Sequence, residues 1–410
     1  MNAQDFEIAV VGGGPAGMIA AIAFAVEGRS TVLVAPPLST DARTTALMRS
    51  SVEELNRLGA WAALRDDAAP LAAMRLIDDT RRLIRAPETT FYASELGFEA
   101  FGWNVENDRL NAALSARLDA LVSEGAPLVR IAAPAESISV EERSVRIEAG
   151  ADVLRATLCV GADGLRSPAR EAAGIECVGW DYQQAAFVTS LSHELPHGDS
   201  STEFHTTTGP FTLVPLGPRR SSLVWVERRP RAEALAALDE DALALEIERQ
   251  ARSFLGKMRV VAPRAVLPLS TQIARRFGAN RIALVGEAAH RIPPIGAQGL
   301  NLGVRDVADL VAATRRASLE SGDVGGPAVL TAYDRARRAD VGPRTVGVDL
   351  LNRSLLTGFL PVQIARSLGL LVAAEVPPLR RLLMLGGLGE AVGARGRAPR
   401  ITAGADAGGW

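Results

Sequence analysis

Apolar positions recur along this chain with two periods, and the changes of period divide it. Residues 6–11 form a short apolar run, residues 15–27 keep a helical repeat that stops at Gly28, and residues 31–35 form a second apolar run. Together they predict a strand–helix–strand unit. Residues 51–58 predict a helix with Val52, Leu55 and Leu58 on one face and Gly59 as its stop. Residues 107–122 predict another, with Leu110, Leu114, Leu118 and Leu121 aligned. Alternating runs at 137–140, 144–148 and 153–160 predict a meander that feeds Gly161-Ala162-Asp163-Gly164.

Beyond Gly174 the texture changes. Strand-like runs at 185–191, 201–206, 211–215 and 222–226 are separated by Gly, Pro and His, and a helix over 241–255 follows them. Residues 282–285 return to a buried-strand pattern, and 304–316 is helical with Val304, Val307, Leu310 and Val311 aligned. Residues 328–360 predict a helix broken near Gly342-Pro343. The last stretch, 393–410, is rich in Gly, Ala and Arg and is expected to be disordered. The order of elements predicts an α/β fold with an antiparallel sheet inserted between its halves.

Composition narrows the function classes. A chain of 410 residues is long for one simple core. Its net charge of −2 argues against a nucleic-acid partner. Its two cysteines, Cys159 and Cys177, argue for a reducing compartment and read as buried small hydrophobes. Met1 to Glu7 is polar and acidic, unlike a signal peptide, and no apolar run reaches the ~18 residues of a membrane span. The histidines, His193, His197, His205 and His290, and the cysteines lack metal-ligand spacing, so no metal is expected.

Three segments carry candidate chemistry. Gly12-Gly13-Gly14-Pro15-Ala16-Gly17 follows a strand and opens a helix. In that setting Gly12 allows a tight turn, Gly14 lets a diphosphate touch backbone, and Gly17 lets helix and strand pack closely. The same fingerprint asks for Asp or Glu at the end of the second strand, to accept bonds from ribose hydroxyls, and here that place holds Ala35. Asp41 and Arg43 are near enough in sequence to substitute. The second segment is an apolar strand ending in Asp163-Gly164; alone, Asp-Gly is a turn. The third, residues 281–306, runs from a strand through Gly286-Glu287 and a Pro/Gly loop into a helix, and suits an anion and sugar-hydroxyl receptor.

In this order and spacing the three segments resemble those of the para-hydroxybenzoate hydroxylase-like FAD-dependent aromatic hydroxylases. Asp41-Ala42-Arg43-Thr44-Thr45, Val105-Glu106-Asn107-Asp108 and Gln298-Gly299-Leu300-Asn301-Leu302-Gly303 are similar to the ubiquinone-biosynthesis (UbiH/UbiF/UbiL-like) branch, a likeness that spans most of residues 6–380. The resemblance implies a Rossmann-like FAD-binding domain in three parts (1–75, 101–175, 268–345). It adds substrate-domain segments at 76–100 and 176–267, a helical C-terminal region at 346–392 and a tail at 393–410.

It further implies that Gly12, Gly14 and Gly17 face the FAD diphosphate, that Arg43 contacts FAD, and that Asp163 and Gly164 serve FAD and the nicotinamide donor. Gly286 and Glu287 would meet the ribityl hydroxyls, with Glu standing where the family has Asp. The loop of Pro294, Gly296, Gly299, Leu300 and Asn301 would bring backbone N–H groups and a helix N-terminus to the reduced flavin's negative edge. NAD(P)H would be the electron donor and O2 the co-substrate, the flavin's C4a-hydroperoxide delivering oxygen to a phenol ring. No catalytic side chain is singled out. His290 could flank the flavin and His205 could face the substrate ring, although a structural role suits a lone histidine better. The substrate would be a polyprenyl phenol of ubiquinone biosynthesis or another aromatic small molecule, with a flavin-binding accessory protein as the rival of a different class. A cytoplasmic enzyme is implied, with residues 355–388 offering contact to the inner face of the membrane and a biosynthetic complex as a further partner.

Overall fold

The computed structural model describes residues 4–80, 82, 85–294, 296–320, 322–356 and 376–388. Its first layer is an eight-stranded sheet. The path runs Gly278–Ala279, Ile282–Leu284, Asp152–Gly161, Gln4–Val11, Thr31–Val34, Leu128–Ile131, with Val145–Ala149 and Ser137–Val140 meandering off Asp152–Gly161. The central pairings are parallel, as the continuous apolar runs require: both faces of these strands are covered. Their register puts Val11 beside Val34 and Gly161, and Gly161 beside Leu284. The turns that follow the three inner strands therefore leave the sheet at one edge, where open α/β sheets place their ligands.

The helix Pro15–Val26 lies against this sheet, buried from Gly17 to Ala25. Its Ala- and Ile-rich surface suits burial on all sides, and the helices Asn107–Ser123 and Gln298–Glu320 pack on it. Asn107–Ser123 buries Leu110, Leu114, Leu118 and Leu121, the aligned leucines of the sequence.

The second layer is a nine-stranded sheet built on Cys177–His193, Arg220–Arg228, Pro210–Gly217 and Ala265–Ala274. Alternation gives it two apolar faces. Phe187, Leu191, Phe204, Phe211, Leu213 and Trp225 pack under the helices Arg229–Ala237 and Glu240–Gln250. Tyr182, Ala186, Val226 and Leu269 form the opposite face. The fold is thus the expected α/β one, with a sheet whose central pairings are parallel and an inserted, largely antiparallel sheet. One pairing departs from that description: Ser200–His205 runs parallel to Ala73–Asp78.

Several bounds differ from the periodicity. The helix expected over 241–255 stops at Gln250, because Arg252 and Ser253 take left-handed φ values of 52°. The helix expected to open at 304 opens at Gln298. No break occurs at Gly342-Pro343: Pro327–Leu356 is one helix with Pro343 inside it. Gly342, having no Cβ, relieves the crowding that a proline imposes on the residue before it. Cys159 is fully buried, and burial pushes its thiol up, whereas Cys177 is only partly covered. Residues 393–410 and the end of the 328–360 helix lie outside the described residues.

Close backbone approach marks the first turn, as it does Gly102, Gly179 and Gly325. A Cβ on Gly17 would lie 1.9 Å from the Gly12 carbonyl oxygen, whereas one on Gly14 would meet nothing within 4 Å. Gly17→Ala is accordingly expected to cost about 1–3 kcal/mol from overpacking, while Gly14→Ala stays within about 0.5 kcal/mol of the parent. Urea unfolding of the two variants, read side by side, checks the contrast; equal midpoints would contradict it.

Candidate cofactor site

The site is assembled from three turns that touch. Gly12 has φ +115°, and a Cβ there would sit 2.2 Å from the Ala162 oxygen, so the first turn lies directly on the segment that leads to Asp163. On its other side Ala16 faces the third turn, its Cβ 3.0 Å from where Gly286 would carry one and 3.5 Å from the corresponding point on Gly303. Gly12 and Gly286, both at positive φ, are where this meeting of segments requires glycine. The helix Pro15–Val26 starts without a side-chain cap. Its first-turn N–H groups, beside the open space at Gly14, suit an anion.

The surrounding side chains are largely committed to holding this junction. Asp163 accepts hydrogen bonds from Ser167 Oγ and, at 2.9 Å, from the Ala169 N–H, starting the helix Pro168–Ala172. Burial raises its pKa, opposed by those bonds. Gly164 follows in the left-handed region with open space around it. Arg43 donates from Nε and Nη2 to Asp41 at 2.7 Å each. Asp41 holds the Arg43 proton more tightly, and Glu287 adds to this, which places Arg43 within electrostatic reach of the third turn. Burial works to raise the Asp41 pKa, but Arg43 and Asn107 outweigh it and lower the net value. Glu287 itself is exposed on the turn Gly286–Ala288.

The loop after it presents Pro294, Gly296 and Gly299 at the surface, with Leu300 half-buried. Asn301 is fully engaged: its Nδ2 donates to the Ala46 and Ala297 carbonyls at 2.8 and 2.5 Å, and its Oδ1 accepts from the Met48 N–H at 2.8 Å. It pins the helix start to the strand Thr44–Met48.

A charged cluster that periodicity did not single out lies beneath the third turn. Asp306, with no exposure, accepts from the Gly286 N–H at 2.9 Å, faces His290 Nε2 at 2.7 Å and accepts from Arg337 Nε at 2.7 Å. Arg337 is 1% exposed and also meets Asp309 and Asp340. Tyr333 donates to the Leu284 carbonyl at 2.6 Å. Burial would push Asp306 up, but His290, Arg337 and the Gly286 N–H outweigh it and hold its carboxyl below the ordinary 3.8. The available signal was an acid one turn from Leu302 and Leu310 on an apolar helix face. His290 therefore anchors the turn from inside. His205 faces Glu203 at 2.8 Å on its own strand, and the pair is largely buried.

Ala35 does line a cavity, of about 400 Å³, but neither Asp41 nor Arg43 belongs to its walls. Those two residues are bonded to each other, and Asp41 also accepts from Asn107 Nδ2 at 2.8 Å.

A parallel sheet with a glycine-built turn, an uncapped helix and two further turns at its carboxyl edge defines a dinucleotide-binding flavoprotein. Residues 5–346 match the FAD binding domain family. The chain is 34% identical to ubiquinone hydroxylase UbiL of Rhodospirillum rubrum, over 93% of this chain and 89% of that one. It is 32% identical to 3-demethoxyubiquinol 3-hydroxylase of Escherichia coli, over 95% and 100% respectively. The protein belongs to the FAD-binding aromatic hydroxylases and, within them, to the ubiquinone-hydroxylase branch. Among solved structures, p-nitrophenol 4-monooxygenase PnpA of Pseudomonas putida shares the fold, with a TM-score of 0.74 at 20% identity over 94% of this chain and 99% of that one.

Breaking the buried cluster from one side should be expensive. Asp306→Asn is expected to lose about 3–5 kcal/mol, the usual cost of leaving a buried ion pair's partner uncompensated. Because the folded carboxyl titrates below its ordinary 3.8, Asp306 contributes stability above that pH, and the contribution is lost as pH falls through the lower folded value. Urea titrations at several pH values should show the full gap between parent and variant near neutrality and a narrowing gap below about pH 4. Equal stability near neutrality would remove the assignment.

Proposed function

We propose that this chain is an FAD-dependent monooxygenase that hydroxylates the ring of a polyprenylated phenol in ubiquinone biosynthesis. The observation that carries the reading is the meeting of three turns at one sheet edge, in a chain similar along nearly all its length to ubiquinone hydroxylases. Gly12, Gly14 and Gly17 would hold the FAD diphosphate on backbone. Arg43, Asp163, Gly164, Gly286 and Glu287 would hold the sugar-alcohol portion. Pro294, Gly299, Leu300 and Asn301 would border the flavin ring, Asn301 by fixing the loop with its side chain. FAD supplies the redox chemistry when bound, with NAD(P)H as electron donor and O2 as oxidant.

The chain's own contribution is positioning and dryness. An apolar cluster joins Ala46, Met48 and Ala297 beside the flavin loop to Met74 and Phe91 of the second sheet and to Met384 and Leu388 of the helix Pro377–Leu388. This packed apolar cluster closes the space between the flavin loop, the second sheet and the C-terminal helix to water; the polyprenyl substrate is favoured over a small soluble phenol by the likeness to ubiquinone hydroxylases. That alternative has the likeness to p-nitrophenol 4-monooxygenase behind it, which extends to fold alone.

The same C-terminal helix leaves Leu382 and Leu383 exposed, and Val346, Leu350 and Leu356 are exposed on the helix Pro327–Leu356. No helix among the described residues is long and apolar enough to cross a membrane. We read these side chains as peripheral contact with a lipid surface, where a polyprenyl substrate resides.

Deletion of the gene should make a quinone precursor lacking one ring hydroxyl accumulate, detected by mass spectrometry, and purified protein should carry 18O from O2 into that ring. An unchanged quinone profile would end the proposal. For the membrane contact, Leu382→Glu with Leu383→Glu should weaken vesicle flotation about tenfold or more, given about 1.5–3 kcal/mol for burying each leucine. Unaltered flotation would show that these leucines do not touch lipid.

A further inference from the structure

The cavity at Ala35 is walled on one side by the first glycine turn and the second strand, through Gly13 and Leu33, and on the other by the helix Asn107–Ser123 and by Arg130. At about 400 Å³ it is of a size that takes a small-molecule fragment. It begins where a dinucleotide fingerprint places the adenosine ribose, and the acid that would serve the ribose hydroxyls is absent.

The helix opposite supplies what the strand lacks. Asn111 and Ser115, one turn apart, both line the cavity, while Leu110 and Leu114 point into the core. Ser115 Oγ is occupied, accepting from Arg130 Nη2 at 3.2 Å, and Arg130 is also paired with Asp119. Asn111 Oδ1 is buried and accepts no hydrogen bond. A buried carbonyl without a donor is an uncommon state that calls for a partner. A ribose hydroxyl is a donor of the right kind, and the carboxamide offers one acceptor and two donors.

We propose that Asn111 replaces the missing strand-end acid and accepts a hydrogen bond from a ribose hydroxyl on the adenosine half of FAD. The inference rests on reading the glycine turn as the FAD site. It moves ribose recognition from the strand end to a neighbouring helix, and from a charged to a neutral acceptor.

Titration of apoprotein with FAD and, separately, with FMN tests it, read by protein fluorescence. Asn111→Ala should raise the FAD dissociation constant about tenfold, near 1.4 kcal/mol, and leave FMN binding unchanged, because FMN lacks the adenosine. Ala35→Glu placed in the Asn111→Ala background should recover most of that loss, yet tighten the parent less than threefold. An Asn111→Ala protein that binds FAD like the parent overturns the proposal. So does a loss shared equally by FMN, or an equal gain from Ala35→Glu in both backgrounds. Should Asn111→Ala fail to fold, Asn111→Ser, too short to reach the hydroxyl, carries the same expectation and the same refutations. A parent that binds no FAD at all would instead refute the reading of the whole site.

Discussion

A single buried carboxylate ties the site to the rest of the molecule. Asp306 sits on the helix Gln298–Glu320, yet its oxygens reach the Gly286 backbone, His290 and Arg337. It thereby joins the third turn, the helix whose start borders that turn, and the helix Pro327–Leu356. Taking these groups out of water has a large desolvation cost, which the Asp306 carboxylate offsets by accepting from the Gly286 N–H and Arg337 and facing His290 Nε2. Through Gly286 the constraint passes to Ala16, and from there to Gly12 and Ala162. The third turn is thereby held against the other two, which the sheet register brings to the same edge.

The two sheets divide the labour. The parallel sheet brings three turns to one edge by register alone. The second sheet offers one face to its own helices, and Tyr182, Ala186, Val226 and Leu269 make up the other. The strand Thr44–Met48 links them, since Asn301 fastens its backbone to the loop while Met48 joins the apolar cluster that includes Met74 and Phe91. A cofactor edge and an apolar wall are thus held by the same short strand.

Much of this was legible in the order of residues, and the losses have physical causes. The three motifs could be found because tight turns and close backbone approach demand glycine at fixed offsets, as at Gly12 and Gly17. The leucines of Asn107–Ser123 followed from helical period. The partners of Asp41 were not legible because nearness in sequence says little about direction: it is bonded to Arg43 and to Asn107 of a distant helix. Asn111 and Arg130 escaped notice because they reach the cavity only after strand and helix have packed. Arg337 and Asp306 were not singled out, since burial of a charge depends on partners that one-dimensional pattern does not reveal. Pro343 misled for the opposite reason, a local rule being overridden by a long, well-anchored helix.

The parallel sheet also dictates an order of events during synthesis. The strand Gln4–Val11 leaves the ribosome first, but its neighbour Asp152–Gly161 emerges much later, and Ile282–Leu284 later still. Until then the glycine turn has no opposing walls, and an apolar sheet edge stays uncovered. Such a nascent chain depends on chaperones more than one whose contacts are local. A ligand that binds only the completed sheet edge would be captured late, so that its supply could draw the final folding step to completion.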